Sequence, residues 1–157
     1  MDTNKSAPYT GLTPDCVLDA LDSIGLRGDG RLLGLNSYEN RVYQIWLEEG
    51  PGLTAAGAAA AVVVAKFYRP GRWSDEQIAE EHEFVRELAE RELPVVAPLA
   101  QGGRTLHHFG GYRFAVYPKR GGRAPELEDR ETLEWMGRFS AAFTRWARSR
   151  PFARDPR

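Results

Sequence analysis

The pattern of apolar and polar positions along the chain predicts five strands and three helices. Runs of apolar and aromatic residues predict strands at 31–35, 42–47, 60–68, 104–108 and 112–117. The last two are expected to form a hairpin that turns at Gly110-Gly111. A long helix is predicted between the third and fourth strands. The simplest packing of this order is an α+β fold, a five-stranded antiparallel sheet crossed by that helix.

The first two helices are predicted from signals at their ends. Thr13 suits the N-cap and Pro14 the first position of a short amphipathic helix, which Gly25 ends. Ser74 begins the crossing helix with a capping-box pattern, and Pro94 is expected to end it. A third helix is predicted at the C-terminal side of the chain.

The composition is that of an ordinary globular protein of 157 residues, long enough for one domain or one lobe of a larger one. The net charge of -1 gives no reason to expect nucleic acid or an anionic membrane as partner. The one cysteine, Cys16, excludes an internal disulfide and favours a reducing compartment. No run reaches the roughly 20 apolar residues of a membrane span, and the N-terminus shows no apolar signal region. We therefore expect a cytoplasmic protein.

Lys66 is a charge at the end of the most apolar run in the chain. A lysine in a buried strand is costly unless a carboxylate or an anionic ligand meets its ammonium group. Glu81 shares a helix stripe with Ile78, Val85 and Leu88, and is therefore expected to face the sheet as a buried carboxylate. From the residues alone, two interpretations remain open. Either the two charges pair at an anion-binding site, or Lys66 reaches the sheet edge and Glu81 lies in water.

Four stretches of the sequence then resemble one family of bacterial enzymes. They are 35–44 (Leu-Asn-Ser-Tyr-Glu-Asn-Arg-Val-Tyr-Gln), 66–73 (Lys-Phe-Tyr-Arg-Pro-Gly-Arg-Trp), 80–82 (Glu-Glu-His) and 114–118 (Phe-Ala-Val-Tyr-Pro). Over roughly residues 12–140 the chain is similar to the stress response kinase A family. That family belongs with the aminoglycoside- and choline-kinase-like phosphotransferases. The resemblance implies a protein-kinase-like fold, of which this chain has the small lobe.

The resemblance also implies roles for individual residues. Lys66 would hold the α- and β-phosphates of ATP, and Glu81 would orient the lysine. The loop between the first two strands would lie over the phosphates, with Ser37 as its direct contact. Tyr117 and Lys119 would belong to a hinge that binds the adenine edge through backbone groups. From the residues alone, an ordinary turn residue is the preferred interpretation of Ser37. The hinge is also consistent with a plain linker between lobes, and the two roles are compatible.

The resemblance divides the chain into four parts. These are a flexible lead at 1–12, a nucleotide-binding small lobe at 13–117, a hinge at 118–123, and the start of a large lobe at 124–157. Beyond the hinge there is no His-x-Asp motif followed by an asparagine, nor a later metal-binding aspartate. We therefore assign no catalytic residue and no metal ligand. The Mg²⁺ that accompanies ATP is implied by the resemblance only.

The histidines add no metal site. His82 is interpreted as a helix-face residue, and His107 and His108 as strand residues, without metal-ligand spacing to Cys16. The third helix, predicted at 131–149, is apolar over a broad arc. In a chain that stops early in the large lobe, this arc is expected to be exposed and to favour association.

The leading hypothesis is a truncated ATP-dependent kinase that phosphorylates serine or threonine on proteins when complete and acts as a monomer. Alone, it is expected to bind ATP weakly and to show no turnover. One alternative is a phosphotransferase for small molecules, as in the aminoglycoside and choline kinases. Another is a non-catalytic interaction module that docks through the helix at 131–149.

Overall fold

The central element of the computed structural model is a five-stranded sheet. The structure describes residues 8–48, 62–122 and 128–149. Its elements are α1 (Pro14–Asp22), β1 (Gly28–Leu35), β2 (Arg41–Leu47), β3 (Val62–Tyr68), α2 (Asp75–Glu90), β4 (His107–Phe109), β5 (Tyr112–Pro118) and α3 (Arg130–Ser149). The strands are antiparallel in the order β1-β2-β3-β5-β4. This confirms the predicted α+β fold with its five-stranded antiparallel sheet.

The predicted helix starts are confirmed at atomic detail. Thr13 caps α1, its hydroxyl accepting a hydrogen bond from the backbone N–H of Cys16 at 3.2 Å. Ser74 caps α2 in a complete capping box with Gln77, in which each side chain accepts from the other residue's backbone N–H. These local bonds satisfy backbone donors that the first turn of a helix leaves free.

The end of α2 differs from the prediction, because the helix stops before Pro94. Glu92 adopts a left-handed backbone conformation, with φ of 58°. The N–H groups of Leu93 and Glu92 donate to the carbonyls of Leu88 and Ala89, at 3.2 and 3.0 Å. This is the Schellman motif, which closes the helix without a proline.

The fourth strand is also shorter than predicted. Gln101 and Arg104 form an isolated bridge around Gly102 and Gly103, both with positive φ. The chain therefore turns tightly where a strand was expected to begin. Of the predicted third strand, positions 60 and 61 lie outside the described residues.

The two faces of the sheet carry different helices. On one face, α1 packs over a core that includes Ile45, Val63 and Phe67. Leu12 belongs to this core, and Tyr9 stacks on Tyr112 with ring centroids 6.4 Å apart, so residues just before α1 are packed as well. On the other face, α2 covers a smaller cluster formed by Tyr68, Ile78 and Ala115, together with Leu106 and Tyr117. Lys66 lies on this second face.

The predicted C-terminal helix is present as α3. Phe143 on α3 meets Phe84 on α2 edge to face, with ring centroids 6.1 Å apart. Leu133 and Trp135 are about half exposed, so part of the apolar arc faces solvent. None of the helices in the described ranges is long and apolar enough to cross a membrane.

Candidate functional site

Lys66 sits in the middle of a row of residues that crosses four strands. Its register partners are Val42 on β2 and Ala115 on β5, and Val42 in turn faces Leu35 on β1. Cross-strand partners in an antiparallel sheet point to the same face. The ammonium group of Lys66 therefore rises from an otherwise apolar row.

The carboxylate of Glu81 meets this ammonium group. Nζ of Lys66 lies 3.4 Å from Oε1 of Glu81, and the two side chains are 24% and 53% exposed. The two charges therefore pair, as the first interpretation has it, but the prediction that Glu81 is buried is wrong. The buried position next to it belongs to His82, which is 3% exposed. Glu81 lies at the edge of the α2 stripe and reaches the lysine from the side of the solvent.

The aromatic ring of Tyr68 lies against the ammonium group of Lys66. Nζ lies 4.6 Å from the centroid of the Tyr68 ring, two residues along the same strand. The negative face of an aromatic ring attracts a cation, and the attraction grows where water is partly excluded. Tyr68 and Glu81 together confine an ammonium group that remains partly exposed to solvent.

Behind Lys66 lies a buried network of polar side chains. The Tyr68 hydroxyl lies 2.7 Å from Nε2 of His82, whose Nδ1 lies 2.9 Å from the Thr105 hydroxyl. The Tyr68 hydroxyl also lies 3.3 Å from that of Tyr117. Burial raises the pKa of both tyrosines and lowers the pKa of His82. These groups are therefore neutral at pH 7.

Sequence reasoning missed this network, because His82 was interpreted as an ordinary helix-face residue. One signal was available. His82 lies four residues after Ile78, on the stripe that faces the sheet, so a buried and bonded imidazole was a reasonable expectation.

An open apolar surface flanks Lys66 on the side that α2 does not cover. Leu33 and Leu35 on β1 are exposed to 52% and 38%, although both are large hydrophobic residues. Val42 and Val64 next to them are half-buried. Register places all four on the Lys66 face. Such a surface beside a cation suits a ligand with a flat apolar part and an anionic part. The sequence analysis did not single out these four residues.

The loop between β1 and β2 lies at the Lys66 end of this surface. Its backbone is tied at Glu39, whose carbonyl accepts from the Tyr9 hydroxyl at 2.7 Å and whose carboxylate lies 2.8 Å from Nε of Arg72. Ser37, the predicted contact, is half-buried in this loop, and its neighbour Tyr38 is fully exposed. Ser37 lies two residues after Leu35, which ends β1 and belongs to the same cross-strand row as Lys66.

The two predicted hinge residues lie toward the other end of the surface. Tyr117 pairs with Val64 across β3 and β5, and Lys119 is exposed directly after β5. The hydroxyl of Tyr117 contacts that of Tyr68, whose ring in turn contacts the ammonium group of Lys66. For magnesium, the described ranges hold no group of three or more His, Cys, Asp or Glu side chains able to bind a metal ion.

Comparisons with known proteins show the family to which the chain belongs. A model of the phosphotransferase enzyme family, known as APH, matches residues 31–157. Stress response kinase A of Salmonella choleraesuis is 43% identical over 148 residues, which cover 94% of this chain. A Salmonella typhimurium protein named Serine/threonine protein kinase RdoA shows the same identity over the same length. Stress response kinase A of Escherichia coli K12 is 40% identical over 153 residues.

The matched part is less than half of these relatives. The chain spans 42% of the length of the Salmonella proteins and 44% of the Escherichia coli protein. The family model nevertheless covers most of the present chain, from within β1 through β2 to β5, α2 and α3. The chain belongs to the phosphotransferase enzyme family.

Proposed function

We propose that this chain is the ATP-binding part of a kinase that transfers phosphate to serine or threonine on proteins. The observation that carries the proposal is the Lys66–Glu81 pair beside the open apolar surface. A partly buried lysine held in one place by a carboxylate and a ring is suited to meet the oxygens of a phosphate group.

Each part of the site has a role under this proposal. Lys66 binds phosphate oxygens, and Glu81 keeps the lysine in position. The exposed apolar side chains of β1, with Val42 and Val64, take the flat base. Ser37 contacts phosphate from the loop between β1 and β2. Tyr117 and Lys119 belong to the segment whose backbone groups bind the edge of adenine.

The phosphate acceptor and the metal ion are proposed for the full-length protein. The name of one relative, a serine/threonine protein kinase, supports a protein acceptor. We propose that the full-length protein works as a cytoplasmic monomer on protein substrates, without nucleic acid or membrane as partner. ATP would supply the transferable phosphate. Mg²⁺ would take its protein ligands from outside the described residues.

ATP binding to the purified chain tests the proposal. Isothermal titration should show saturable ATP binding that Lys66→Ala weakens by about tenfold or more, since a charge-assisted bond to phosphate contributes roughly 1.5–3 kcal/mol. Arg27→Ala removes an exposed cation from the connection after α1 and should leave the affinity unchanged. Equal ATP affinity in the wild type and Lys66→Ala would refute the proposed role of the lysine.

A further inference from the structure

His82 occupies a position that joins three parts of the fold. It lies on α2, and its imidazole contacts Tyr68 of β3 and Thr105 of the segment before β4. Tyr68 in turn reaches Tyr117, the second-last residue of β5. The ring is almost fully buried, and the next residue back along α2 is Glu81. The imidazole therefore fixes the one turn of α2 from which the carboxylate reaches Lys66.

Both ring nitrogens are needed for this arrangement. A neutral imidazole has one donor and one acceptor nitrogen, and a hydroxyl group can serve either role. Tyr68 and Thr105 therefore satisfy the neutral ring completely. An apolar residue at position 82 would leave the buried Tyr68 hydroxyl with the longer contact to Tyr117. A buried polar network that is only partly hydrogen-bonded destabilises the fold and holds its side chains less rigidly.

We propose that His82 is a positioning residue, which holds α2 through Tyr68 and Thr105 so that Glu81 meets Lys66. The chain of hydroxyls continues to Tyr117, and this links the carboxylate–ammonium pair to the end of β5. For the role in ligand binding, the inference rests on the proposed function. The positioning of the pair itself does not require a ligand.

Protonation should disturb this arrangement. The titratable or charged groups that face the ring are Glu81 on α2, Lys66 and Tyr68 on β3, His107 on β4 and Tyr117 on β5. Burial lowers the pKa of His82, with Lys66 and His107 acting in the same direction and Glu81 opposing them. A proton on the ring would place a buried cation near the ammonium group of Lys66. The pair should therefore loosen when the pH falls well below the ordinary pKa of histidine, about 6.5.

The test follows the side-chain NMR signals of Lys66 in the intact chain. Glu81→Gln gives the signal of an unpaired lysine. His82→Phe should shift the Lys66 signals in that same direction, and His82→Gln should restore part of the wild-type position, since its amide can reach toward Tyr68. Tyr68→Phe retains the ring under the lysine and removes only the hydroxyl. It should act like His82→Phe, and it provides the test if His82→Phe does not fold. Arg86→Ala, on the same helix among Glu83 and Glu90, is the matched control.

ATP affinity gives the second measurement. His82→Phe and Tyr68→Phe should weaken binding roughly three- to tenfold, the range of one lost hydrogen bond, and acidification should weaken the wild type more than His82→Gln. Unchanged Lys66 signals in both folded variants would overturn the inference. If the wild type binds no ATP while the Lys66 signals respond as described, the proposed function fails and the positioning role stands. If Lys66→Ala abolishes binding but the His82 and Tyr68 variants bind as the wild type does, only the present inference fails.

Discussion

Lys66 and Glu81 form an ion pair across β3 and α2, but only the lysine is shielded from water. The carboxylate is more than half exposed, so solvent screens the attraction on its side. The ammonium group lies against the Tyr68 ring. This asymmetry indicates a pair that orients a cation and contributes little to the stability of the fold.

The first prediction concerns what the Lys66–Glu81 pair contributes to stability and to ATP binding. Glu81→Gln should change the free energy of unfolding by less than about 1 kcal/mol, the usual contribution of a solvent-exposed pair. The same substitution should weaken ATP binding, because the lysine is no longer held. Urea unfolding and isothermal titration measure the two effects. A loss of stability above about 2 kcal/mol with unchanged ATP affinity would show that the pair is structural.

The second prediction concerns His107, whose Nε2 is buried and has no hydrogen-bond partner within the described part of the protein. Burial lowers the pKa of His107, with His108 and Arg104 acting in the same direction. The unfolded chain therefore binds more protons than the folded protein below about pH 6.5. Stability should be constant above this pH and should decrease as the pH falls toward the folded pKa.

His107→Leu should remove part of this loss, since it removes both the titrating group and an unsatisfied buried nitrogen. The measurement is the free energy of unfolding between pH 8 and pH 5. At pH 8, where the imidazole is neutral, the variant should be as stable as the wild type or more so. A variant as acid-sensitive as the wild type, or clearly less stable at pH 8, would contradict the prediction.

The third prediction concerns the start of α2, the helix that carries Glu81. Ser74→Ala removes the hydroxyl that accepts from the Gln77 N–H, and should cost about 1 kcal/mol of unfolding free energy. Ser74→Asp retains an acceptor at the N-cap and should cost much less. Chemical denaturation compares the three proteins. An unchanged free energy of unfolding in Ser74→Ala would show that the cap does not stabilise α2.

The fourth prediction concerns the hairpin between β4 and β5. Gly110 and Gly111 have φ of 56° and 82°, which residues with a side chain seldom adopt. No atom within 4 Å would meet a Cβ added at Gly111, so the cost of Gly111→Ala is conformational alone, about 1–2 kcal/mol. Gly111→Asn should lose less, because asparagine tolerates this conformation. The melting temperature should be highest for the wild type, lower for Gly111→Asn and lowest for Gly111→Ala. A higher melting temperature for Gly111→Ala than for Gly111→Asn would contradict the explanation.

Much of the fold follows from short-range signals. The capping box of Ser74 with Gln77 and the paired glycines of the hairpin lie within a few residues of each other, so the sequence shows them directly. The start of β4 was harder to predict from the sequence, because Gly102 and Gly103 form a separate tight turn just before it.

The site was only partly predictable for a different reason. Glu81 and His82 lie about 100° apart on the helix, so both are close enough to the apolar stripe for either to be the buried residue. Which of them is buried depends on Tyr68 and Thr105, which offer hydroxyl groups to an imidazole from distant parts of the chain. Helical periodicity alone carries no information about such partners.

The alternation along β3 has a practical consequence. Val63 and Phe67 belong to the core under α1, whereas Lys66 and Tyr68 face α2 and the open surface. One strand thus serves two separate environments. Substitutions can be chosen on the α1 side to raise thermal tolerance while the Lys66 side is left as it is. A library that varies only the α1 side would provide more thermostable variants. In these variants the interactions of Lys66 can be studied at higher temperature.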